Sequence, residues 1–388
     1  MKKETRVTHQ PKVPLPDGNE SVVSPVYHSV KFTYPSIKAS LAARAEQGFD
    51  YTRDSNPTTR QLESLAASLQ DRDDALAVAT GMAAVWLALL GTLSAGDRMV
   101  FFVESYRPSR IAVRKFLPRL GIDHVMLDIA DHTAIAEAFA NPATKLVLFE
   151  APTNPMLRIP DIAALVEMAR ENGVVTVLDN TFAGLHNHGR FDIDYYVHSL
   201  TKYAGGHGDA MGGIVIGSRK KIALLRPLAV NMGSTMDPGV SFLMLRGLKT
   251  YYLRYARHCE NALAVAEFLE ARPEVKRVYY PGLASDPGHA LAKQQMQDFG
   301  GVLSFDLDAD EARTWAFIDA LQLFVTASSL GSTDSLVAPA KLYLGRDLSA
   351  DELARAKITA ATVRLAVGTE HIDDLIKDLS QAFDAAFD

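Results

Sequence analysis

The sequence predicts an α/β protein with a mostly parallel sheet covered by helices on both faces, followed by a smaller α+β section. Three observations predict it. Apolar runs of strand length recur at 76–79, 99–103, 125–129, 146–149, 174–178 and 214–216. Helical stretches of ten or more residues separate most of them; the one over 163–172 closes at Gly173, a residue suited to a helix C-terminus. The runs are apolar throughout, as strands buried on both faces must be.

Residues 1–50 read as an irregular arm, with prolines at 11, 14, 16, 25 and 35. Its apolar and aromatic residues, Val22, Val23, Val26, Tyr27, Phe32 and Tyr34, need a surface to pack on, such as a second subunit. Asn56-Pro57 opens a helix as N-cap and first helical residue, with Leu62, Leu65 and Leu69 on one face. The strand–helix alternation continues to about 217. A long helical stretch at 241–271 then leads to candidate strands at 302–307 and 362–367 and helices near 310–321 and 371–386. The expected division is 1–50, 51–240 and 241–388.

Composition narrows the function. Of 388 residues, 48% are hydrophobic and 22% charged, as in ordinary globular proteins. With 40 basic and 46 acidic residues, the chain lacks the basic footprint that nucleic acid or an anionic membrane requires. A single cysteine, Cys259, excludes an internal disulfide framework and a cysteine-rich zinc module. The basic start at 1–6 runs into polar residues, unlike a signal peptide. The longest apolar run, 82–90, is half the ~20 residues of a membrane helix. A cytoplasmic protein is expected.

In an open parallel sheet, ligands bind beyond the carboxyl ends of the strands. Here those ends carry Thr80-Gly81-Met82, Glu104-Ser105-Tyr106, Glu150 through Asn154-Pro155, Asp179-Asn180-Thr181, and His198-Ser199-Leu200-Thr201-Lys202 before Gly205-Gly206. Each has a plain structural reading: a turn, a helix cap, a solvated lysine. Together they bring a helix N-terminus, an aromatic ring, a carboxylate, hydroxyls and a lysine to one cleft. Arg364 stands in the apolar strand Val363-Arg364-Leu365-Ala366-Val367, where a buried guanidinium needs an anionic partner from protein or substrate. Pyridoxal phosphate would use all these parts. Its aldehyde needs a lysine, its ring nitrogen a carboxylate, its phosphate N–H groups and hydroxyls, and its ring an aromatic face.

These residues resemble the Cys/Met-metabolism family of pyridoxal-phosphate enzymes, which includes cystathionine β- and γ-lyases, cystathionine γ-synthase, methionine γ-lyase and homoserine sulfhydrylases. The match runs from about Tyr51 onward, through Tyr51-Thr52-Arg53, Thr80-Gly81-Met82, Glu150 to Pro155, Asp179-Asn180-Thr181, His198 to Tyr203, Ser329-Leu330-Gly331 and Val363 to Gly368. The resemblance implies a type-I fold and a homotetramer of dimers that share active sites. It makes Lys202 the lysine that carries the cofactor aldehyde and Asp179 the partner of the ring nitrogen. Gly81, Met82, Thr181, Ser199 and Thr201 join them in binding the cofactor. Tyr51 and Arg53 reach a neighbouring subunit's phosphate, and Tyr106 stacks on the ring and assists proton transfer. Arg364, Asn154 and Ser329 hold the carboxylate of an amino-acid substrate.

The chain departs from the family in places. Tyr106-Arg107-Pro108-Ser109-Arg110 replaces the Tyr-Gly-Gly-Thr-like turn of γ-acting members and is closer to bacterial cystathionine β-lyases. Pro108 stands where methionine γ-lyases carry a reactive cysteine. Ser328 replaces the usual acidic, apolar or aromatic residue, Asp334 a usual glutamate, and 338–343 lacks the usual Met-Thr-His. Tyr51 to Thr58, in contrast, follows the γ-branch. The expectation is a carbon–sulfur lyase acting by β-elimination, with a γ-lyase, γ-synthase or sulfhydrylase as the alternative. A metal hydrolase using His186, His188, His198 and His207 rests on an H-x-H pattern without supporting ligands. A dinucleotide oxidoreductase fails on the glycine spacing at 206–212. A degenerate binding protein is disfavoured because Lys202 and Asp179 are both present.

Overall fold

The computed structural model describes residues 15–45 and 48–387; the start at 1–6, Pro11 and Pro14 lie outside the described residues. Seven strands form the larger sheet: β1 (Asp74–Val78), β2 (Arg98–Phe102), β3 (Asp123–Leu127), β4 (Thr144–Glu150), β5 (Val175–Asp179), β6 (Tyr195–Ser199) and β7 (Gly213–Gly217). Their order is β1-β7-β6-β5-β4-β2-β3. Strands β3, β2, β4, β5 and β6 pair in parallel. Strand β7 runs antiparallel to both β6 and β1. Strands β1 and β6 therefore point the same way, and the carboxyl ends of β1, β2, β4, β5 and β6 share one edge.

The apolar runs are explained by burial on two sides. Ala75, Ala77, Val100, Phe102, Val147, Phe149, Ile214 and Ile216 pack into one core cluster. Their neighbours Leu76, Val78, Met99, Phe101, Leu146, Leu148 and Val215 pack into another. The helices divide accordingly. Beyond α1 (Ile37–Ala45), α2 (Pro57–Leu69) contributes Leu62 and Ala66 to the first cluster, while α3 (Gly81–Leu90) contributes Val85 and Leu89 to the second. After the short α4 (Arg107–Ile111), α5 (His132–Ala140) and α6 (Ile162–Glu171) join the first cluster, and α7 (Arg219–Met232) joins the second. Asn56 caps α2 as expected, its side chain accepting from Thr58 N.

Several elements differ from expectation. The stretch 241–271 is two helices, α8 (Pro238–Leu248) and α9 (Tyr251–Glu270). The break is stabilised from α9: Arg254 donates to Gly247 O at 2.8 Å and Tyr203 O at 2.9 Å. Strand β6, whose end at His198–Lys202 the sequence shows, is not an apolar run: Tyr196 packs on one face while Tyr195 and Val197 pack on the other. Within the arm, α1 starts after Pro35, where Ser36 Oγ accepts from Ala39 N at 3.1 Å. The rest of the described arm is mostly irregular. Phe32 packs against Phe49, with ring centroids 5.8 Å apart, whereas Val22, Val23 and Tyr27 remain exposed.

The second sheet holds β8 (Val275–Tyr279), β9 (Val302–Leu307), β10 (Val325–Thr326), β11 (Leu336–Pro339) and β12 (Thr362–Ala366), ordered β10-β11-β12-β9-β8. Among them run α10 (His289–Gln295), α11 (Glu311–Ala320), α12 (Ala340–Tyr343) and α13 (Ala350–Arg355), and α14 (Ile372–Phe387) follows. One sheet face packs Leu303, Phe305, Val363 and Leu365 against residues of α9, α11 and α14. The alternate residues Ser304 and Arg364 turn the other way. Ser304 Oγ donates to Pro155 O at 2.7 Å, which joins the two sheets beside the carboxyl end of β4.

Helix α8 crosses the segment after Lys202 at Gly247, where a Cβ would lie 2.4 Å from Gly205 O and 2.6 Å from Ala204 O. Backbone cannot retreat as a side chain can. Gly247→Ala is expected to cost about 1–3 kcal/mol of stability, seen as a lower urea midpoint; an unchanged midpoint would refute this packing constraint.

Candidate active site

A cavity of about 370 Å³ opens at the shared strand edge. It is lined by Gly81, Met82, Tyr106, Asn154, Asp179, Thr181, Ser199, Thr201, Lys202, Ser329 and Arg364. Tyr51 and Arg53 do not line this cleft. They lie on the surface with the Arg53 guanidinium 5.2 Å from the Tyr51 ring centroid.

The carboxyl ends of β1 and β6 make the anion-binding side. Thr80 caps α3, its hydroxyl accepting from Ala83 N. Gly81 and Met82 follow as the first helical residues, whose amide N–H groups have no intrahelical carbonyl. Position 81 must be glycine: a Cβ there would meet Ser199 Cβ at 2.8 Å. Thr201 Oγ1 sits in the adjoining turn and accepts from Gly212 N at 3.0 Å.

Asp179 ends β5 beside Glu150 at the end of β4, the two being register partners. Thr181 Oγ1 donates to Asp179 Oδ1 at 2.6 Å and accepts from Ser199 N at 2.9 Å. Thr181 thus orients the carboxylate and ties β5 to β6. Burial raises the Asp179 carboxyl above its ordinary value, against the lowering effects of Thr181 and Lys202. Burial, with Asp179 nearby, pushes Glu150 well above the carboxylate range. Glu150 accepts from the amide of Tyr106. The Tyr106 hydroxyl is raised by burial first, then by Asp179 and Glu150.

Lys202 Nζ donates to Ser329 Oγ at 2.7 Å. Burial lowers its amine to about 8, helped by Arg364 and opposed by Asp179. Ser329 has φ of +127°, a conformation that L-residues hold only under surrounding constraint. Arg364 supplies part of that constraint, donating to Ser329 O at 3.0 Å and to Asn154 Oδ1 at 3.2 Å. Its guanidinium is buried and brought down to about 10 by desolvation. Arg364 Nε is buried with no hydrogen-bond partner among the described residues.

The donor set fits pyridoxal phosphate and an amino acid. Free helix amides and hydroxyls suit a phosphate, Asp179 a protonated ring nitrogen, and a low-pKa Lys202 an aldehyde. The unpaired Arg364 Nε suits a carboxylate. The histidines do other work. His198 Nε2 meets Gln70 Oε1 at 2.7 Å, His188 Nδ1 meets Asn180 Oδ1 at 2.7 Å, and His186 lies between Tyr251 and Asp298. His207 Nδ1 meets Gly205 O at 2.8 Å.

The sequence reading did not assign Glu150, Ser328, Met211 or Leu344 to the site, yet all four line the cavity. Glu150 carried a signal, a carboxylate closing an apolar strand. Leu344 carried none, because it follows α12 in a segment distant in sequence from the strand ends.

Lys202 binds fewer protons folded than unfolded between pH 8 and its ordinary 10.5. Its unfavourable contribution to stability is therefore full below pH 8 and fades as pH rises to 10.5. Acylation of Lys202 in the cofactor-free protein, followed by mass spectrometry, should titrate near pH 8, and Arg364→Met should move that midpoint upward. A midpoint above pH 10 in the unmutated protein would refute the desolvated amine.

The profile of the Cys/Met metabolism PLP-dependent enzyme family matches residues 4–384. The chain is 37% identical to L-methionine gamma-lyase of Pseudomonas putida over 388 residues, covering 98% of this chain and 97% of that protein. It is also 37% identical to cystathionine beta-lyase of Coxiella burnetii over 384 residues, with 98% and 97% covered. Among solved structures, cystathionine gamma synthase from Xanthomonas oryzae pv. oryzae in complex with cystathionine superimposes with a TM-score of 0.90. Its identity is 36%, and 94% of each chain is covered. The match spans both sheets and the whole strand edge that carries Lys202 and Asp179, and so the chain belongs to the Cys/Met metabolism PLP-dependent enzymes.

Proposed function

We propose that the protein is a carbon–sulfur lyase that cleaves a cysteine-type thioether by β-elimination, releasing a thiol, pyruvate and ammonia. The observation that carries the reading is the Lys202 amine, lowered to about 8 and held on Ser329 beside the Arg364 guanidinium. Pyridoxal phosphate, when bound, supplies an aldehyde that captures amines and a ring that stabilises negative charge at Cα.

The chain's residues do the rest. Gly81, Met82, Ser199 and Thr201 hold the phosphate, and Asp179 holds the ring nitrogen. Arg364 and Asn154 bind the substrate carboxylate, with Ser329 beside them, which sets the Cα–H bond towards Lys202. Lys202 Nζ takes the Cα proton; an amine near 8 is partly neutral at cellular pH and suited to this. The Tyr106 hydroxyl keeps its proton at neutral pH and faces the cleft as a donor to the departing sulfur. The Cβ–S bond breaks as the Cα–Cβ double bond forms, and water releases pyruvate and ammonia. In this reading residues 51–240 form the cofactor-binding unit and 241–388 the unit that carries Arg364. The exposed Tyr51 and Arg53, with the apolar arm, serve a neighbouring subunit in a homotetramer.

The 37% identity to L-methionine gamma-lyase favours a second reading, γ-elimination. Incubation with pyridoxal phosphate and a panel of L-cystathionine, S-alkyl-L-cysteines and L-methionine separates the two by the keto acid formed. Pyruvate is expected; 2-oxobutyrate in its place would establish the γ-acting reading, and neither would overturn both. Borohydride should trap the cofactor on Lys202. Lys202→Ala should lower kcat by about 10²–10⁴-fold, and full activity in that variant would refute the mechanism.

A further inference from the structure

Three strands end side by side at the cleft, in the order β2-β4-β5, and Glu150 closes the middle one. On one side it is the register partner of Asp179. On the other its Oε1 accepts from the amide of Tyr106, in the turn that follows β2. All three side chains line the cavity.

Tyr106 needs such a tie. It lies between β2 and α4, and its side chain is 38% exposed, so packing alone does not fix the ring and the backbone must set its direction. On the carbonyl side that backbone is held by Arg110. Its guanidinium donates to the carbonyls of Val103, at 3.4 Å, and Ser105, and its amide donates to Tyr106 O at 3.0 Å. On the amide side Glu150 does the holding.

A glutamate suits this place by its reach. Aspartate would be shorter by one methylene, about 1.5 Å, whereas glutamine puts an acceptor oxygen at the same distance. Negative charge is not needed. Burial and Asp179 favour the protonated form of Glu150, against the Tyr106 amide and Arg110, and the carbonyl oxygen of a protonated carboxyl still accepts. An ionised Asp179 beside the cofactor's ring nitrogen would favour that form further.

From this geometry we infer that Glu150 is a positioning residue: through the Tyr106 amide it fixes the direction of the Tyr106 ring in the cleft, and it acts on the reaction through that ring. This deepens the lyase reading and rests on the part given there to Tyr106. Holoenzyme carrying Glu150→Gln, Glu150→Asp or Glu150→Leu makes the test. Two quantities are measured: kcat for keto acid from S-propyl-L-cysteine and L-cystathionine, and the visible circular dichroism of the bound pyridoxal phosphate, which reports the asymmetry of the groups around its ring. Glu150→Leu and Glu150→Asp should lower kcat about 10- to 100-fold, as a misplaced group does, and weaken the dichroic band. Glu150→Gln should recover most of both. Added to Tyr106→Ala, Glu150→Leu should cost little more, because the ring it directs is gone. The comparison of Glu150→Gln with Glu150→Asp decides the matter even where Glu150→Leu does not fold.

Rescue by Glu150→Asp, or no rescue by Glu150→Gln, overturns the inference. So do losses in Glu150→Leu that add in full to those of Tyr106→Ala, the mark of a purely structural role, and so does a Glu150→Leu holoenzyme with kcat and band intact. A Tyr106→Ala variant that keeps both would instead remove Tyr106 from the mechanism, and the inference with it. If no thioether yields a keto acid, the lyase reading falls, while the dichroic band still tests Glu150.

Discussion

A guanidinium taken out of water between two sheets has to be answered on every side, and Arg364 organises the molecule around that requirement. It projects from β12, whose flanking residues Val363 and Leu365 are locked in the core of the second sheet. Its partners, Asn154 and the Ser329 carbonyl, come from the end of β4 and from the loop before β11. The arginine therefore sets how the smaller sheet stands over the strand ends of the larger one, and Ser304 fixes the same relation one strand away. Its Nε is left without a partner, an energetic debt on which carboxylate recognition can draw.

Desolvation acts on the neighbouring groups with opposite sign. It pushes Asp179 and Glu150 up and Lys202 down, so all three lean toward their neutral forms. A cleft arranged in this way carries reactive groups without accumulating charge that water would have to solvate. Ligand charges arriving beside Asp179 and Arg364 would then meet groups whose environment is short of counter-charge.

Most of the site was legible because it obeys a topological rule. Asp179, Gly81 and Tyr106 follow apolar runs, Ser199, Thr201 and Lys202 close a segment that leads into glycines, and a parallel sheet delivers such ends to one edge. Arg364 was legible as a charge in a strand that should have none. What stayed hidden depends on contacts far apart in sequence. The break between α8 and α9 depends on Arg254 reaching back to Gly247. Strands β8, β10 and β11 are short, and two of them lie at the edges of their sheet. Leu344 is an ordinary leucine until folding brings it to the cavity.

The buried Arg110 guanidinium, which donates to both Asp347 oxygens at 3.1 and 2.7 Å and to Leu344 O at 2.5 Å, joins residues 237 positions apart in the chain. Each half of this contact needs the other: Arg110 alone would strand a buried guanidinium, and Asp347 alone would be left with only Arg107. The two segments thus act as one packing unit. A chimera that takes the turn after β2 from one parent and the stretch after α12 from another would have to carry both partners across together, or lose the geometry of the cleft at its seam.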